Sequence, residues 1–417
     1  VWIHDEWAAA QAASRARGLP IVADMWAPWC HTCLSMQSTV LRDPALRPYV
    51  GRFVWLAADT DRAENAELLA GIKMSMWPTF FVLDADARVQ ASFAGASSVA
   101  QFRAFLEDGE AAFLDSRGQA LAEDDPRRKV REGARALQAG AYDEADAAFA
   151  AALAAAPPQW PRRADVLVDQ IRARSRAERW EACVALAEAE LDEVAGARVA
   201  SSVDFMLYAE RCASELEAGR VEALRRRMVA AFEAIVADPE AALSVDDRSD
   251  LLANLRVVLL ALGEEARARE VARRQLDLLS AAWKDALSPR VAMTYAWPRA
   301  EVAVFLGEGE SVVADLEALA GALPDEYDPP YRLAWTLLKL GRADEALPWA
   351  ERAAAATYGP RKARAQGMVA EIQAARGDKA AEREARAAVV ATWRSLPLGQ
   401  QDPKALASAE AALAAVK

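Results

Sequence analysis

Two patterns of hydrophobic positions divide the chain. Within residues 1–120, continuous apolar runs alternate with segments whose apolar residues lie three and four apart. From about residue 125, alanine-rich runs of 12 to 18 residues with helical spacing follow one another. Apolar runs of strand length indicate buried strands, and spacing of three and four indicates amphipathic helices. The sequence therefore predicts an α/β domain followed by an all-α region.

The first part is predicted to contain a mixed sheet. The predicted strands are 20–27, 52–59 and two strands within 79–95 on either side of the turn DADAR. The predicted helices are 5–18, a segment from the cysteine pair through CLSMQSTVL, 62–72 and 98–109. The runs at 20–27 and 52–59 are apolar almost throughout, as expected for strands covered on both faces. Alternation of strands and helices predicts an α/β fold.

The second part contains a repeat. The segments 140–157 and 340–354 place glycine and alanine at matching offsets, in a layout that resembles the tetratricopeptide (TPR) repeat of about 34 residues. Turns between paired helices are predicted at Gly140, Glu178, Gly219, Gly263, Gly307, Gly341 and Gly377. We therefore expect a TPR-like α-solenoid of seven helix pairs, with a terminal helix at 403–416 covering its end.

A polar segment separates the two parts. LAEDDPRRK (121–129) holds the only proline of the transition and is predicted to be a linker. The predicted domains are accordingly 1–120 and 130–417.

Charge and composition limit the partners. The 417 residues carry a formal charge of −12, which disfavours nucleic acid and anionic membranes. No stretch approaches the roughly 18 uninterrupted apolar residues of a membrane span. We expect proteins as partners.

The candidate chemistry lies in WAPWCHTC (26–33). Two cysteines at this spacing suit half of a metal site, a structural disulfide or a redox pair. Cys30 and Cys33 have no second C-x-x-C to complete a zinc site, and the histidines near them are His31 and His4. We expect no metal and no cofactor beyond a redox-active disulfide.

Residues around the pair resemble the thioredoxin superfamily over about residues 2–110. Matching positions are Asp24 before the pair, Trp29, Pro78 in WPTF with Thr79, and Gly95 after the last strand. The alanine-rich lead-in is similar to the thioredoxin-like reductase domains of thiol-disulfide interchange proteins. The resemblance implies a thioredoxin-like fold with a cis peptide bond before Pro78.

A mechanism follows from the predicted position of the pair. Cys30 at a helix N-terminus is stabilised as a thiolate, and Cys33 lies one turn further in. We hypothesise that Cys30 attacks a substrate disulfide, that Cys33 resolves the mixed disulfide, and that Asp24 accepts the proton of Cys33. A purely hydrogen-bonded, structural carboxylate is the alternative for Asp24.

Neighbouring residues are expected to tune this chemistry. His31 and Thr32 replace the glycine and proline of thioredoxin, and both changes favour a more oxidising pair; an exposed His31 of little effect is the alternative. Many thioredoxins carry a lysine near the buried acid, whereas the strand FVWLAAD offers none, so burial should raise the pKa of Asp24.

Other residues are assigned to the substrate rim or to the core. Trp29, Trp77, Pro78 and Thr79 are predicted to border the bound substrate, and Trp26 and Trp55 to lie in the core. The remaining cysteines, Cys183 and Cys212, occupy similar heights on neighbouring helices. Their repeat positions face inward within different helix pairs, which favours two buried free thiols over a disulfide.

The sequence thus favours a protein thiol-disulfide oxidoreductase, acting as a reductase, whose helical repeats bind a protein partner. The alternative is an interaction scaffold with a thioredoxin-like binding module. The absence of an initial methionine suggests that a leader has been removed. Together with the resemblance to extracytoplasmic domains, it favours a bacterial periplasm, whereas two unpaired cysteines would favour the cytoplasm.

Overall fold

A mixed sheet lies in the N-terminal part of the chain. The computed structural model describes residues 2–72, 74, 76–118, 121–157 and 159–416. Its strands are β1 (Trp2–His4), β2 (Ile21–Trp26), β3 (Val54–Asp59), β4 (Thr79–Leu83) and β5 (Val89–Ala94). Within the described residues they form one sheet in the order β1-β3-β2-β4-β5. β1 runs parallel to β3, and β4 runs antiparallel to both β2 and β5.

The buried character of the central strands confirms the sequence prediction. Every residue of β3, β4 and β5 is buried, and β2 is buried except at Trp26, which is half-buried. Trp55 in β3 is buried as predicted. β1 was not predicted because its three residues, two half-buried and one exposed, carry no periodic signal; its pairing places Trp2 opposite Trp55.

Four α-helices accompany the sheet in the described residues. They are α1 (Trp7–Arg17), α2 (His31–Ser38), α3 (Ala66–Gly71) and α4 (Val99–Asp115). α1 ends as predicted at Gly18, whose φ of 67° is the left-handed conformation that glycine adopts without strain. α2 is shorter than predicted, because the chain after Ser38 turns into two 3₁₀ segments, Val40–Arg42 and Pro44–Tyr49.

The remainder of the described chain is helical. Its helices are α5 (Pro126–Ala139), α6 (Tyr142–Ala155), α7 (Arg163–Arg176), α8 (Trp180–Ala197), α9 (Ala200–Ala213), α10 (Ala218–Val236), α11 (Val245–Ala261), α12 (Glu265–Lys284), α13 (Pro289–Leu306), α14 (Glu310–Ala322), α15 (Asp328–Lys339), α16 (Ala343–Ala356), α17 (Gly359–Arg376), α18 (Lys379–Ser395) and α19 (Pro403–Ala414). Taken in chain order, they give the seven predicted pairs and the predicted terminal helix, α19.

Six of the seven predicted turns lie where the sequence places them. A positive φ occurs at Gly140, Glu178, Gly263, Gly307, Gly341 and Gly377. The prediction at Gly219 was wrong: this glycine lies in the first turn of α10, and the chain turns at 214–217 instead. The polar run SELE makes that turn without a glycine, so the glycine signal pointed to the wrong residues.

The predicted linker is partly helical. α5 begins at Pro126, where the missing N–H of proline costs no helical hydrogen bond, and Asp125 caps it by accepting from the N–H of Arg127. Residues 126–129 therefore belong to α5. Residues 119 and 120, next to the predicted boundary, lie outside the described residues.

Small residues of the repeat allow close packing. A Cβ added at Gly133 in α5 would lie 2.6 Å from the ring of Phe149 in α6. The glycine seven residues before the turn is thus required because an aromatic side chain fills the space that its own side chain would occupy.

The chain forms two compact units that interleave along the sequence. The first comprises Val1–Trp26, Ser35–Ala58 and Gly71–Arg274, and the second Ala27–Leu34, Asp59–Ala70 and Gln275–Lys417. The first unit contains almost the whole sheet, α1 and the helices from α4 to α11. The second contains the cysteine pair, the segment after β3 and the helices from α13 onward.

Buried polar contacts join sheet and repeats inside the first unit. Gln101 in α4 donates to Asp165 in α7 at 2.6 Å and to Ser201 in α9 at 2.7 Å. Arg162 is 1% exposed and pairs with Asp165 at 3.0 Å and with Asp108 in α4 at 3.2 Å. Because these groups are buried, removing one partner would leave an uncompensated charge.

The two cysteines of the repeats are bridged. Cys183 in α8 and Cys212 in α9 form a disulfide with their Cα atoms 6.2 Å apart. The preference for free thiols was wrong. The repeat register assigns inward-facing side chains to one helix pair at a time, whereas α8 and α9 are neighbouring helices that belong to two adjacent pairs. The similar heights of Cys183 and Cys212 on these helices, which the sequence did indicate, allow the bridge.

No helix in the described ranges is both long and apolar enough to cross a membrane.

We predict that replacing both Cys183 and Cys212 by serine lowers the free energy of unfolding by about 3 kcal/mol, because a cross-link over about 30 residues restricts the unfolded chain. Urea unfolding of the variant and the parent under non-reducing conditions measures the difference. Alkylation of the unreduced, denatured parent should label neither cysteine. Labelling of both would contradict the bridge.

Candidate functional site

The cysteine pair lies at the start of α2. Cys30 precedes the first residue of the helix, and its Sγ accepts the backbone N–H of Cys33 at 3.0 Å. Cys30 and Cys33 are joined by a disulfide with Cα atoms 5.2 Å apart, and they are 4% and 1% exposed. An amide directed at Cys30 Sγ from the positive end of a helix stabilises negative charge on that sulfur. Both cysteines are buried, and Cys33 is the more enclosed of the two.

The two residues between the cysteines are half-buried. Thr32 Oγ1 lies 3.5 Å from Nδ1 of His31, so the threonine contacts the imidazole rather than leaving it free in solvent. In the disulfide, Cys30 and Cys33 offer no thiolate to a metal ion.

Asp24 lies in the middle of β2 and is 2% exposed. Gln37 donates to its Oδ2 at 3.5 Å, and its Oδ1 has no hydrogen-bond partner in the described residues. Burial raises the pKa of Asp24 to about 7, and the Gln37 contact opposes the rise only weakly. No cation of the described residues contributes to the pKa of this carboxyl, so the effect of burial dominates.

The peptide bond between Trp77 and Pro78 is cis, as the resemblance implied. Pro78 leads into β4, and its carbonyl accepts from the N–H of Gly95 at 2.9 Å. A Cβ at Gly95 would lie 2.2 Å from Oδ2 of Asp204 in α9, so only glycine fits there. Thr79 is 2% exposed and donates to the carbonyl of Met76 at 2.8 Å. This threonine therefore shapes the loop, and Trp77, which is half-buried, is more accessible than Thr79.

Trp29 is held by residues that the sequence did not single out. Its indole Nε1 donates to Asp61 at 2.7 Å, and its carbonyl accepts from Arg332 in α15 at 3.1 Å. The guanidinium of Arg361 in α17 stacks on its ring at 4.6 Å. The residue before Cys30 is thus fixed by the C-terminal helices of its own unit.

The segment after β3 is held by the same helices. Tyr358 donates to Asp59 at 2.5 Å, and Tyr327 donates to Asp61 at 3.3 Å. Gln400 donates to the carbonyls of Thr60 and Arg62, both at 2.9 Å. Backbone carbonyls and two carboxylates after β3 therefore serve as acceptors for the repeats.

Two glycines permit this close approach. A Cβ at Gly359, the first residue of α17, would lie 1.9 Å from the carbonyl oxygen of Asp61. A Cβ at Gly399 would lie 2.1 Å from the carbonyl oxygen of Ala66. Glycine at both positions lets the backbones of distant segments touch.

Comparison with known proteins gives a partial match. Residues 7–110 match the family model of the thioredoxin-like domain. Residues 7–110 form a thioredoxin-like domain. The thiol:disulfide interchange protein DsbD of Salmonella typhi is 30% identical over 102 residues, which are 24% of this chain and 18% of that protein. Thioredoxin-1 of Drosophila melanogaster is 42% identical over 76 residues, 18% of this chain and 66% of that protein.

The chain thus spans under a fifth of the length of the DsbD relatives it matches. A solved tetratricopeptide repeat protein from Parabacteroides merdae is 11% identical, with a TM-score of 0.43, over 69% of this chain and 98% of that one. The assignment of TPR-like repeats to this chain rests on the helix pairs of its own structure.

The contacts of Trp29 could not be predicted from the sequence, for a physical reason. The thioredoxin-like pattern marks residues near the cysteines, whereas Asp61 and Tyr327 are 266 positions apart in the chain. One signal was present: Tyr327, Tyr331 and Tyr358 place three of the seven tyrosines within a short stretch of the repeats. Clustered tyrosines indicate a surface that both packs and donates hydrogen bonds.

We predict that Asp24→Asn makes the oxidised protein more stable than wild type at pH 8, by an increment that shrinks toward pH 5. The folded-state pKa of about 7 exceeds the ordinary value of 3.8 for an aspartate, so the wild-type fold loses stability as pH rises through this interval. The change in the stability difference between pH 5 and pH 8 should be about 2–3 kcal/mol. Urea unfolding across this range measures it, and parallel pH curves for the two proteins would contradict the buried, uncompensated carboxyl.

Proposed function

We propose that the protein is a thiol-disulfide oxidoreductase acting on disulfides of other proteins, in the direction of reduction. The observation that carries the proposal is the Cys30–Cys33 disulfide at the helix start, with Cys30 Sγ accepting the amide of Cys33. The matched family and the cis Trp77–Pro78 bond support it. The name of the DsbD relatives, thiol:disulfide interchange protein, agrees with this chemistry.

The proposed cycle begins with the reduced pair. The Cys30 thiolate attacks one sulfur of a substrate disulfide, a new S–S bond forms, and the other substrate sulfur leaves as a thiolate. Cys33 then loses its proton and attacks Cys30 Sγ, which releases the second substrate thiolate and leaves the Cys30–Cys33 disulfide. Two electrons pass to the substrate, and a dithiol donor must return the pair to the reduced form.

Asp24 is proposed as the proton acceptor for Cys33. A carboxyl with a pKa of about 7 exchanges protons readily at neutral pH, which an acid of ordinary pKa does less well. Its low exposure keeps the proton from bulk water. Trp29, Trp77 and Pro78 are proposed to border the substrate, with Thr79 setting the shape of the loop.

The helical repeats are proposed to bind a protein partner. A partner held on the repeats raises its effective concentration near Cys30. The second candidate function is an interaction scaffold, which the 4% exposure of Cys30 favours, because a reacting sulfur must be reached by its substrate.

An oxidising compartment such as a bacterial periplasm is proposed as the location. The Cys183–Cys212 bridge supports it, because structural disulfides persist where thiols are not kept reduced. The bridge also removes the argument for the cytoplasm that two free cysteines would have made. The alkylation state of Cys183 and Cys212 in protein taken directly from cells tests this location. Labelled thiols at these two positions would contradict it.

We predict that insulin reduction with dithiothreitol as donor depends on Cys30. Cys30→Ser should lower turnover at least a hundredfold, because serine is a far poorer nucleophile, whereas the variant lacking Cys183 and Cys212 should keep its activity.

Cys33→Ser should accumulate a mixed disulfide with substrate, and Asp24→Ala should slow the resolution of the mixed disulfide while leaving the first attack unchanged. Equal turnover in wild type and Cys30→Ser would leave the scaffold function.

We predict a reduction potential more positive than the roughly −270 mV of thioredoxin, because His31 and the Cys33 amide stabilise the Cys30 thiolate. Equilibration with glutathione buffers followed by alkylation measures it. His31→Gly should shift the potential toward more negative values. A potential near that of strong oxidants, about −120 mV, would instead assign the oxidase direction.

A further inference from the structure

Arg361 is a buried cation that has no hydrogen-bonded carboxylate among the described residues. The residue lies in the first turn of α17 and is 7% exposed. Among the described residues its guanidinium makes no hydrogen bond or ion pair; it stacks on the rings of Trp29 at 4.6 Å and Tyr331 at 5.2 Å. Its nitrogens are not among the fully buried, unsatisfied atoms of the described residues. The five N–H donors next to Trp29 therefore lack an acceptor in the described part of the chain without being fully enclosed.

Neighbouring carboxylates are already engaged. Asp61 accepts hydrogen bonds from Trp29 and Tyr327, and Asp328 pairs with Arg332 at 3.0 Å. Burial, followed by repulsion from Arg332, lowers the pKa of Arg361 to about 10, which leaves it charged at neutral pH. Asp328 and Asp61 attract the Arg361 guanidinium without accepting a hydrogen bond from it, and the effect of burial outweighs that attraction. Two aromatic faces offset the cost of burial only in part.

We propose that Arg361 binds a carboxylate of the polypeptide that reacts at Cys30. Trp29, on which Arg361 stacks, directly precedes Cys30, and the Trp29 carbonyl is held by Arg332. A carboxylate matches the fork of guanidinium donors and supplies the acceptor that they lack. That the polypeptide carries a disulfide rests on the proposed function; the binding of its carboxylate does not.

Because of the net charge of the chain, a preference for a peptide with a carboxylate would indicate a local cation. The whole chain carries −12, so long-range electrostatics repels acidic peptides. A preference for a carboxylate therefore requires a local cation. Charge-assisted hydrogen bonds lead us to expect binding about tenfold tighter than for the uncharged amide.

The experiment uses the full chain with its Cys30–Cys33 disulfide intact and three acetylated hexapeptides in which serine replaces cysteine. The first has an internal glutamate and an amidated end, the second glutamine and an amidated end, and the third glutamine and a free carboxyl end. Calorimetric titration in low salt compares their affinities. Tighter binding of the first assigns a side-chain carboxylate, and tighter binding of the third assigns a C-terminal one.

Variants separate recognition from structural support. Arg361→Gln should abolish the preference, and Arg361→Lys should keep a part of it, because lysine retains the charge without the fork. Arg364→Gln, an exposed arginine one turn further along α17, should behave as wild type. Equal affinity of wild type for all three peptides, including no binding of any, overturns the proposal, even if Arg361→Gln is unstable.

The outcome is independent of the catalytic test. The peptides contain no sulfur, so their binding does not require turnover at Cys30. Loss of turnover in Cys30→Ser with no carboxylate preference would retain the oxidoreductase and reject the role of Arg361. A carboxylate preference in a protein without cysteine-dependent turnover would do the reverse.

Discussion

The hydrogen bond from the Trp29 indole to Asp61 fixes the redox segment to the helical part of its unit. Asp61 is 6% exposed, and burial raises its pKa, so it needs donors. Trp29 and Tyr327 supply them, one from the residue before Cys30 and one from the residue before α15. A buried acceptor shared in this way makes the position of the redox segment depend on the repeats, because losing either donor leaves the carboxylate poorly solvated.

The hydrogen bonds at Asp61 agree with the set of chain segments that make up the second unit. Residues 27–34 and 59–70 belong by sequence to the thioredoxin-like part, yet they pack with the helices after residue 274. Tyr358, Gln400 and the backbone contacts at Gly359 and Gly399 all act on the segment after β3. The repeats are therefore part of the scaffold of the site, and a role limited to tethering a distant partner understates their contribution.

The sequence was sufficient where the signal is local. Apolar runs located β2, β3, β4 and β5, and glycines with positive φ marked most repeat turns, because these features follow from residues close together in the chain. The family pattern located Cys30, Asp24 and the cis bond at Pro78. Missing were β1 and the Cys183–Cys212 bridge, which depend on pairing with another element, and the turn after α9, which is made without the glycine that marks the other turns.

The contacts of Trp29 are the part of the candidate site that the sequence indicated least. Trp29 was assigned to the substrate rim, and nothing in the motif indicates that its indole N–H, its carbonyl and its ring face are each engaged by a different residue. These engagements restrict what a substrate can do there, since only the parts of Trp29 that remain accessible can be contacted. Cys30, at 4% exposure, is under the same restriction. In the proposed function, a substrate approaches along the groups that hold Trp29, and there the donors of Arg361 have no hydrogen-bond acceptor among the described residues.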